Sequence, residues 1–468
     1  MNSILYKTTD QLRKAYIKKD LSPVEVMNVM IDRIEQTHPK YNFVTHWNPD
    51  KDRELAKLAE KAFLKDGDKT PYLTGIPITI KDIVAVKGEP HTNGSYIYEK
   101  HIAPESDIIA QRLLDEGAIN IAKTTLPEIC HKMLTDSPLF GYTCSPFNME
   151  YSPGGSSGGA AVALIVGAGT MAIGSDGGGS IRCPSSCSNL VGLKPTTGAM
   201  PDESCPDVFG AYPMKGPMAR TVKDCVTMFS IMAGVARDDL FNMFEPRFSL
   251  NEALDIKGNV KGLKVAYIEK FRAEPINEEV SKLCRKAVAN LEKGGAIIEE
   301  VSGELFNDVG DFYVLIHTTG HAAHAGQFVM EHAEHMSLSF LDCIAQGKTF
   351  TSVEYEHAQE KRSILWRGVQ KLLKKYDVII SPTLTEPMQK LKAGGAMNTQ
   401  LFKTWCPYTY PFNLTGNPAL SVPVGLSSKG MPVGMQIVGP WHSEKRLFEI
   451  AQFIEDVQPW SDLYPKDI

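Results

Sequence analysis

Residues 152–182, SPGGSSGGAAVALIVGAGTMAIGSDGGGSIR, set two glycine-rich clusters, GGSSGG and SDGGGSIR, on either side of a run of small apolar residues. Glycine loses more conformational freedom on folding than any other residue, so two such clusters need a reason. Three chemistries compete. A phosphate cradle needs a lysine after the last glycine, as in GxxxxGK[ST], and GGSSGGAA has none. SDGGGSIR likewise lacks the GxGxxG spacing and the distant acidic residue of a dinucleotide site. A nucleophile elbow matches residues 154–158 as G-x-S-x-G, but it requires a strand running straight into the serine, and NMEYSP is turn-like. The third chemistry couples serines to a lysine. Serine is a poor nucleophile until a neighbouring base takes its proton, and lysine is such a base only where burial or neighbours keep it neutral. Lys81 closes the apolar run IPITIKD and is placed for burial, although Asp82 beside it would equally make it an ordinary ion pair. Gly177, Gly178 and Gly179, just before Ser180, would turn several backbone N–H groups toward one point, as an oxyanion hole requires.

These residues need a scaffold. Ser22-Pro23-Val24-Glu25 is a capping box with proline at the first helical position, predicting a helix to about Gln36, and residues 51–65 predict another. From Gly75 strands and helices alternate. Strands are expected at 76–80, 118–122, 171–175, 190–193, 263–268, 296–301, 378–380, 419–424 and 435–438. Helices are expected at 107–116, 159–169 and 444–457. The alternation argues for an α/β fold with a mostly parallel sheet covered by helices. Residues 201–216 and 383–404 read as loop-rich, neither resembles a domain boundary, and one domain over 1–468 is expected.

Composition narrows the partners. The chain is 43% hydrophobic and 22% charged with a net charge of −6, so it can bury a large core and lacks the basic surface that nucleic acid or anionic membrane wants. No apolar run of about 18 residues predicts a membrane span. The N-terminus has no signal-like apolar core, and nine scattered cysteines do not form a disulfide framework, so the expected setting is cytoplasmic. Cys183 and Cys187, four apart with no second pair, read as packing residues rather than metal ligands. His317, His321 and His324 share one helical face at a spacing zinc accepts, with no carboxylate or cysteine beside them. A metal site, a pocket wall and an ordinary helix face all stay open for them. Asp176 and Arg182 flank the glycine turn and read as an ion pair that fixes it, with Ser157 structural too.

The strings GGSSGG, SDGGGSIRCP and VGLKPTTG, with GIPITIKDIVAVKG upstream, resemble the amidase signature family. The intervals agree, 75 residues from Lys81 to Ser156 and 24 from Ser156 to Ser180, and the likeness continues through YDVIISPTLTEP, NLTGNPALSVPVG and PVGMQIVG. The resemblance implies one large α/β domain with a mixed, mostly parallel central sheet covered by helices on both faces. An N-terminal helical region, 1–70, would pack on a catalytic core, 71–200. It implies that Ser180 is the nucleophile, that Ser156, following a cis peptide bond from Gly155, relays its proton, and that Lys81 is the terminal base. N–H groups of residues 177–180 would hold the oxyanion, and Ile129, Cys130, Met133 and Leu134 would line an apolar acyl pocket, with a plain core position left open for each of the four. No metal or cofactor is implied. The implied reaction is hydrolysis of the C–N bond of a small apolar or aryl amide through a seryl acyl-enzyme, by a free-standing enzyme for which a homodimer is an open assembly. The alternative is the glutaminase component, the A subunit, of glutamyl-tRNA(Gln) amidotransferase. Against it, Cys406 stands where that component has an acidic residue, and KRSILWRG replaces its RRIMLGT-like stretch, with Arg362 open as a surviving arginine in a changed context. The family's usual DTGGS is DGGGS here.

Overall fold

A computed structural model describes residues 4–203, 212–236, 239, 241–242, 248–271, 275–392 and 399–465. Eleven strands form one mixed sheet: β1 Val44–His46, β2 Pro77–Lys81, β3 Ile119–Thr124, β4 Met171–Asp176, β5 Val191–Lys194, β6 Met214–Ala219, β7 Lys264–Tyr267, β8 Ile297–Glu300, β9 Val378–Pro382, β10 Ala419–Leu426 and β11 Pro432–Val438. Their spatial order is β1-β3-β2-β4-β6-β5-β10-β11-β9-β7-β8. The expected parallel pairing is found in two blocks, β3-β2-β4 and β9-β7-β8. The strands between them, and β1 at the edge, pair antiparallel.

Side chains alternate across a strand, and that alternation sorts the core into two faces. In β9, Val378 and Ile380 join the cluster built with helices Pro23–Tyr41, Val222–Met232, Glu278–Lys293 and Glu444–Val457. Ile379, between them, packs on the other face with helices Val309–Ala325, Ser352–Lys375 and Tyr410–Leu414. The sheet is covered by helices on both faces, as expected. The Ser22 capping box is formed: Glu25 N donates to Ser22 Oγ at 3.1 Å and Ser22 N to Glu25 Oε2 at 2.7 Å.

Two expectations change. Strand β6 begins inside 201–216, the stretch read as loop; its sequence, MKGPMA, holds the glycine and proline that argue against a strand, and pairing on both sides overrides them. Residues 399–404 are helical rather than loop. Residues 204–211 and 393–398 of those two stretches lie outside the described residues. Among the described residues no helix is long and apolar enough to cross a membrane.

Candidate active site

Parallel β2 and β4 end side by side, with Ile80 opposite Ile173, so the residues that follow meet at the carboxyl end of the sheet. Thr79 and Lys81 share one face of β2. Asp82 turns to the opposite face and pairs with Lys123, whose Nζ lies 3.5 Å from Asp82 Oδ1. The alternative that Asp82 neutralises Lys81 is therefore not realised. Lys81 is fully buried, and its Nζ lies 2.6 Å from Ser156 Oγ and 2.8 Å from Ser175 Oγ. Burial pushes the Lys81 ammonium below the ordinary lysine range, only partly opposed by Cys130 and Asp176.

The peptide bond between Gly155 and Ser156 is cis. Ser157 fastens the two glycine-rich segments together. Its Oγ donates to Ser175 O at 3.2 Å and accepts from Ser175 N at 3.2 Å, while its N–H donates to Ser180 O at 3.1 Å. Ser180 is buried and its hydroxyl lies 3.8 Å from Met133 Sδ.

Asp176 and Arg182 form the expected ion pair, both fully buried, with Arg182 Nη2 and Nε at 2.8 and 3.0 Å from Asp176 Oδ1 and Oδ2. Burial alone would push the Asp176 carboxyl up, but Arg182 and Asn413 hold it well below the usual carboxylate range. Arg182 Nη1 also donates to Thr409 O and Gln436 Oε1, both at 2.7 Å, and Asn413 Nδ2 donates to Asp176 O at 2.8 Å. The carboxylate in turn aligns the turn: Gly179 N donates to Oδ1 at 2.7 Å and Ile181 N to Oδ2 at 3.1 Å. This corrects the expectation for Gly179. Its N–H is committed to Asp176, whereas among the described residues no acceptor meets the N–H groups of Gly177, Gly178 or Ser180.

Two of the turn's glycines are sterically required. A Cβ on Gly178 would run into Tyr313 Oη, and one on Gly179, at φ +127°, would run into Thr409 Oγ1. Gly177 differs: a Cβ there would meet only Tyr212 and Pro213, at 3.8 Å. We expect Gly177→Thr to shift the melting temperature by less than about 2 °C while moving the ratio of kcat/KM values toward smaller amides. A large loss of stability in a thermal melt would show that this glycine is structural instead.

Ser156, Ser175, Gly177, Gly178, Ser180 and Cys130 border one cavity of about 370 Å³. Its other walls are Ile129, Tyr212, Tyr313, Ile316, Phe402 and the histidine face. Ile129 and Cys130 line it from consecutive left-handed backbone positions, φ +48° and +58°, unusual for such residues. Met133 and Leu134, expected beside them, are core residues at 1% and 3% exposure, and Met133 packs beneath Ser180. His317, His321 and His324 turn out to be pocket wall. Among the described residues no group of three or more His, Cys, Asp or Glu could hold a metal ion. His317 stacks on Tyr313 and is pushed down to about 4 by burial, and His321 is likewise held neutral. Cys183, Cys187 and Cys406 are fully buried packing residues.

Sequence reasoning missed Ser175, Tyr313, Thr409, Asn413 and Gln436. Ser175 was within reach, because it lies one residue before the end of a strand parallel to the lysine strand. The others act across more than 130 residues of chain and leave no local signal.

Residues 25–448 match the amidase family model. The chain is 33% identical over 466 residues to an acylamidase of Rhodococcus erythropolis, covering 98% of this chain and 96% of that one. It is 31% identical over 491 residues to the A subunit of glutamyl-tRNA(Gln) amidotransferase from Prochlorococcus marinus (strain MIT 9211), covering 98% of this chain and all of that one. A bacterial aryl acylamidase of the amidase signature family superposes with a TM-score of 0.90 at 26% identity, over 98% of both chains. The matched span takes in the lysine strand, both glycine-rich segments and the closing strands, and the chain belongs to the amidase signature family, as a hydrolase of amide C–N bonds.

Proposed function

We propose that this chain is a free-standing amidase that cleaves a small amide with an apolar or aromatic group. Ser180 is the nucleophile, Ser156 the relay and Lys81 the base. The observation that carries the proposal is a buried, neutral-leaning lysine 2.6 Å from Ser156 at the edge of a cavity walled by aromatic rings and bordered by Ser180. In the reaction, the Ser180 hydroxyl leaves Met133 for another staggered rotamer and passes its proton to Ser156 as Ser156 passes one to Lys81. Ser180 Oγ bonds to the carbonyl carbon, and N–H groups of Gly177, Gly178 and Ser180 are the available donors to the oxyanion. Each such donor contributes about 3–4 kcal/mol to the transition state. The C–N bond breaks as the proton returns through Ser156 to the amine. Water, deprotonated by the same route, then releases the carboxylate.

The second reading, a glutaminase working inside a larger complex, rests on the full-length 31% identity to an amidotransferase component. Glutamine's α-ammonium wants a carboxylate. The acid among the described cavity residues, Asp202, bonds Lys215 at 2.8 Å, and Cys406 is buried behind the turn. The test is release of amine and ammonia by the purified chain from glutamine, a primary aliphatic amide, an anilide and a fatty acid amide. Turnover of the anilide without added subunits is expected. Turnover of glutamine alone, or of nothing until partner subunits are supplied, would replace this reading with the second.

A further inference from the structure

One wall of the catalytic cavity is a single helical face. Tyr313, Ile316, His317, Gly320, His321 and His324 recur at the three- and four-residue spacing that keeps side chains on one side of helix Val309–Ala325, and all six border the cavity. At about 1.5 Å of rise per residue, the stripe carries the cavity about 12 Å from Tyr313 to His321 and about 16 Å to His324. It runs from inside to outside: Tyr313 and His317 are buried, His321 is half-buried and His324 is exposed. The inner polar groups are already engaged. Tyr313 Oη donates to Gly177 O at 3.3 Å, which fixes that end at the catalytic turn, and His317 Nε2 lies 3.0 Å from His131 O. The outer ones are not. The His321 ring packs edge-to-face with His317 and Phe340, and its nitrogens bond no group among the described residues. The same holds for the hydroxyl of Tyr355, a half-buried cavity residue from helix Ser352–Lys375, and none of these atoms is sealed in the core. Between the two ends sits Gly320. Glycine inside a helix costs stability relative to alanine. A Cβ there would meet only Tyr212 Oη, at 3.9 Å, so close packing does not demand glycine at this position. Its effect is to leave a lane open from the catalytic turn to His321.

We propose that this lane is a subsite selecting an elongated amide that carries an uncharged hydrogen-bonding group, a hydroxyl or a second amide, about ten bonds from the scissile carbonyl. The proposal rests on the amidase reading above and sets the length and far end of its substrate. An extended chain advances about 1.2 Å per bond, so about ten bonds cover the distance from Tyr313 to His321. A neutral imidazole donates from one nitrogen and accepts at the other, and a phenol does both, which matches a group that gives and takes a hydrogen bond. Burial, with His317 and His131 nearby, holds His321 neutral. Among the described residues the charged side chains on the cavity border, Asp202 and Lys215, bond each other at 2.8 Å, so a full charge on the substrate would meet no uncommitted counter-charge.

The probes are the acetyl, decanoyl and ω-hydroxydecanoyl anilides, with N-decylacetamide and its ω-hydroxy analogue carrying the same chain on the amine. In one arm or the other, the terminal hydroxyl is expected to raise kcat/KM at least about fivefold over the plain chain. That advantage should shrink to less than about twofold in the double variant His321→Phe with Tyr355→Phe, which keeps both rings and removes their hydrogen-bonding groups. Gly320→Leu should lower the decanoyl-to-acetyl ratio of kcat/KM at least about tenfold by filling the lane. Gly320→Ala, whose Cβ has room, should shift the ratio the same way if the leucine variant does not fold. No advantage of the hydroxyl in either arm, an advantage that survives in the double variant, or a ratio unchanged at position 320 would each overturn the proposal. If the wild type turns over none of these amides, the amidase reading fails instead. The lane is then read by calorimetry, as tighter binding of ω-hydroxydecanamide than of decanamide that the double variant abolishes, and equal binding of the two overturns it.

Discussion

On the proposed mechanism, Ser180→Ala should lower amide turnover by at least about 10⁴-fold and leave the fold intact. The structural half of that expectation follows from how little the hydroxyl holds together: its contact is Met133 Sδ at 3.8 Å, and the turn is fastened by backbone groups and Asp176. Lys81→Met should lose a comparable factor, because without the base Ser156 has nowhere to send a proton. The two losses should not add. Once the nucleophile is gone the base has nothing to activate, so the double variant should lie within about tenfold of Ser180→Ala. The pH profile gives a further check. In its proposed role as base Lys81 works only without its extra proton, and burial shifts its titration below the ordinary lysine range, so activity should fall as acid protonates it. A wild-type rate that is flat between about pH 5 and about pH 9 would remove Lys81 from the role of base.

Arg182→Met carries the second large effect, on stability and activity together. It strands a fully buried carboxylate whose charge the guanidinium compensates, and such a loss costs about 3–5 kcal/mol. The Asp176 carboxylate sits below its ordinary range in the fold, so the pair stabilises at pH values above the unfolded aspartate's range. That stability is lost as pH falls through the depressed value. Asp176→Asn combined with Arg182→Met should recover part of the loss, because neither charge is then left alone. Chemical denaturation of the three variants measures this. An Arg182→Met protein as stable as the wild type would mean that the pair orients the turn without stabilising it.

What could be read along the chain was whatever is local or periodic. Lys81 ends a strand, Ser156 and Ser180 sit in glycine-rich turns, and the intervals between them survive as sequence. The Ser22 helix start was legible for the same reason, since its two hydrogen bonds join residues three apart. Where partners lie in different strands, the reading ran out. Nothing beside Asp82 says that Lys123 rather than Lys81 will neutralise it; that follows from Ile80 lying opposite Lys123 in the parallel pair, which puts Asp82 on the same side. The split between Ile129 and Cys130 as wall and Met133 and Leu134 as core was equally invisible. All four are apolar or nearly so, and backbone turned left-handed at 129 and 130 decides which of them face the cavity. The antiparallel centre of the sheet was missed because β6 is spelled with glycine and proline, and its place is given by neighbours on both sides.

The anchoring of Arg182 also sets a timetable for synthesis. Its acceptor on Gln436 lies 254 residues further along the chain, and Asn413, which steadies Asp176, lies 237 residues beyond that aspartate. A ribosome adds residues in order, at about 5–20 each second. Both serines and the lysine are therefore made well before the groups that hold the turn in shape. On the proposed mechanism, a nascent or prematurely ended chain carries Lys81, Ser156 and Ser180 without the residues that hold the turn, and activity is expected only once Asn413 and Gln436 have docked.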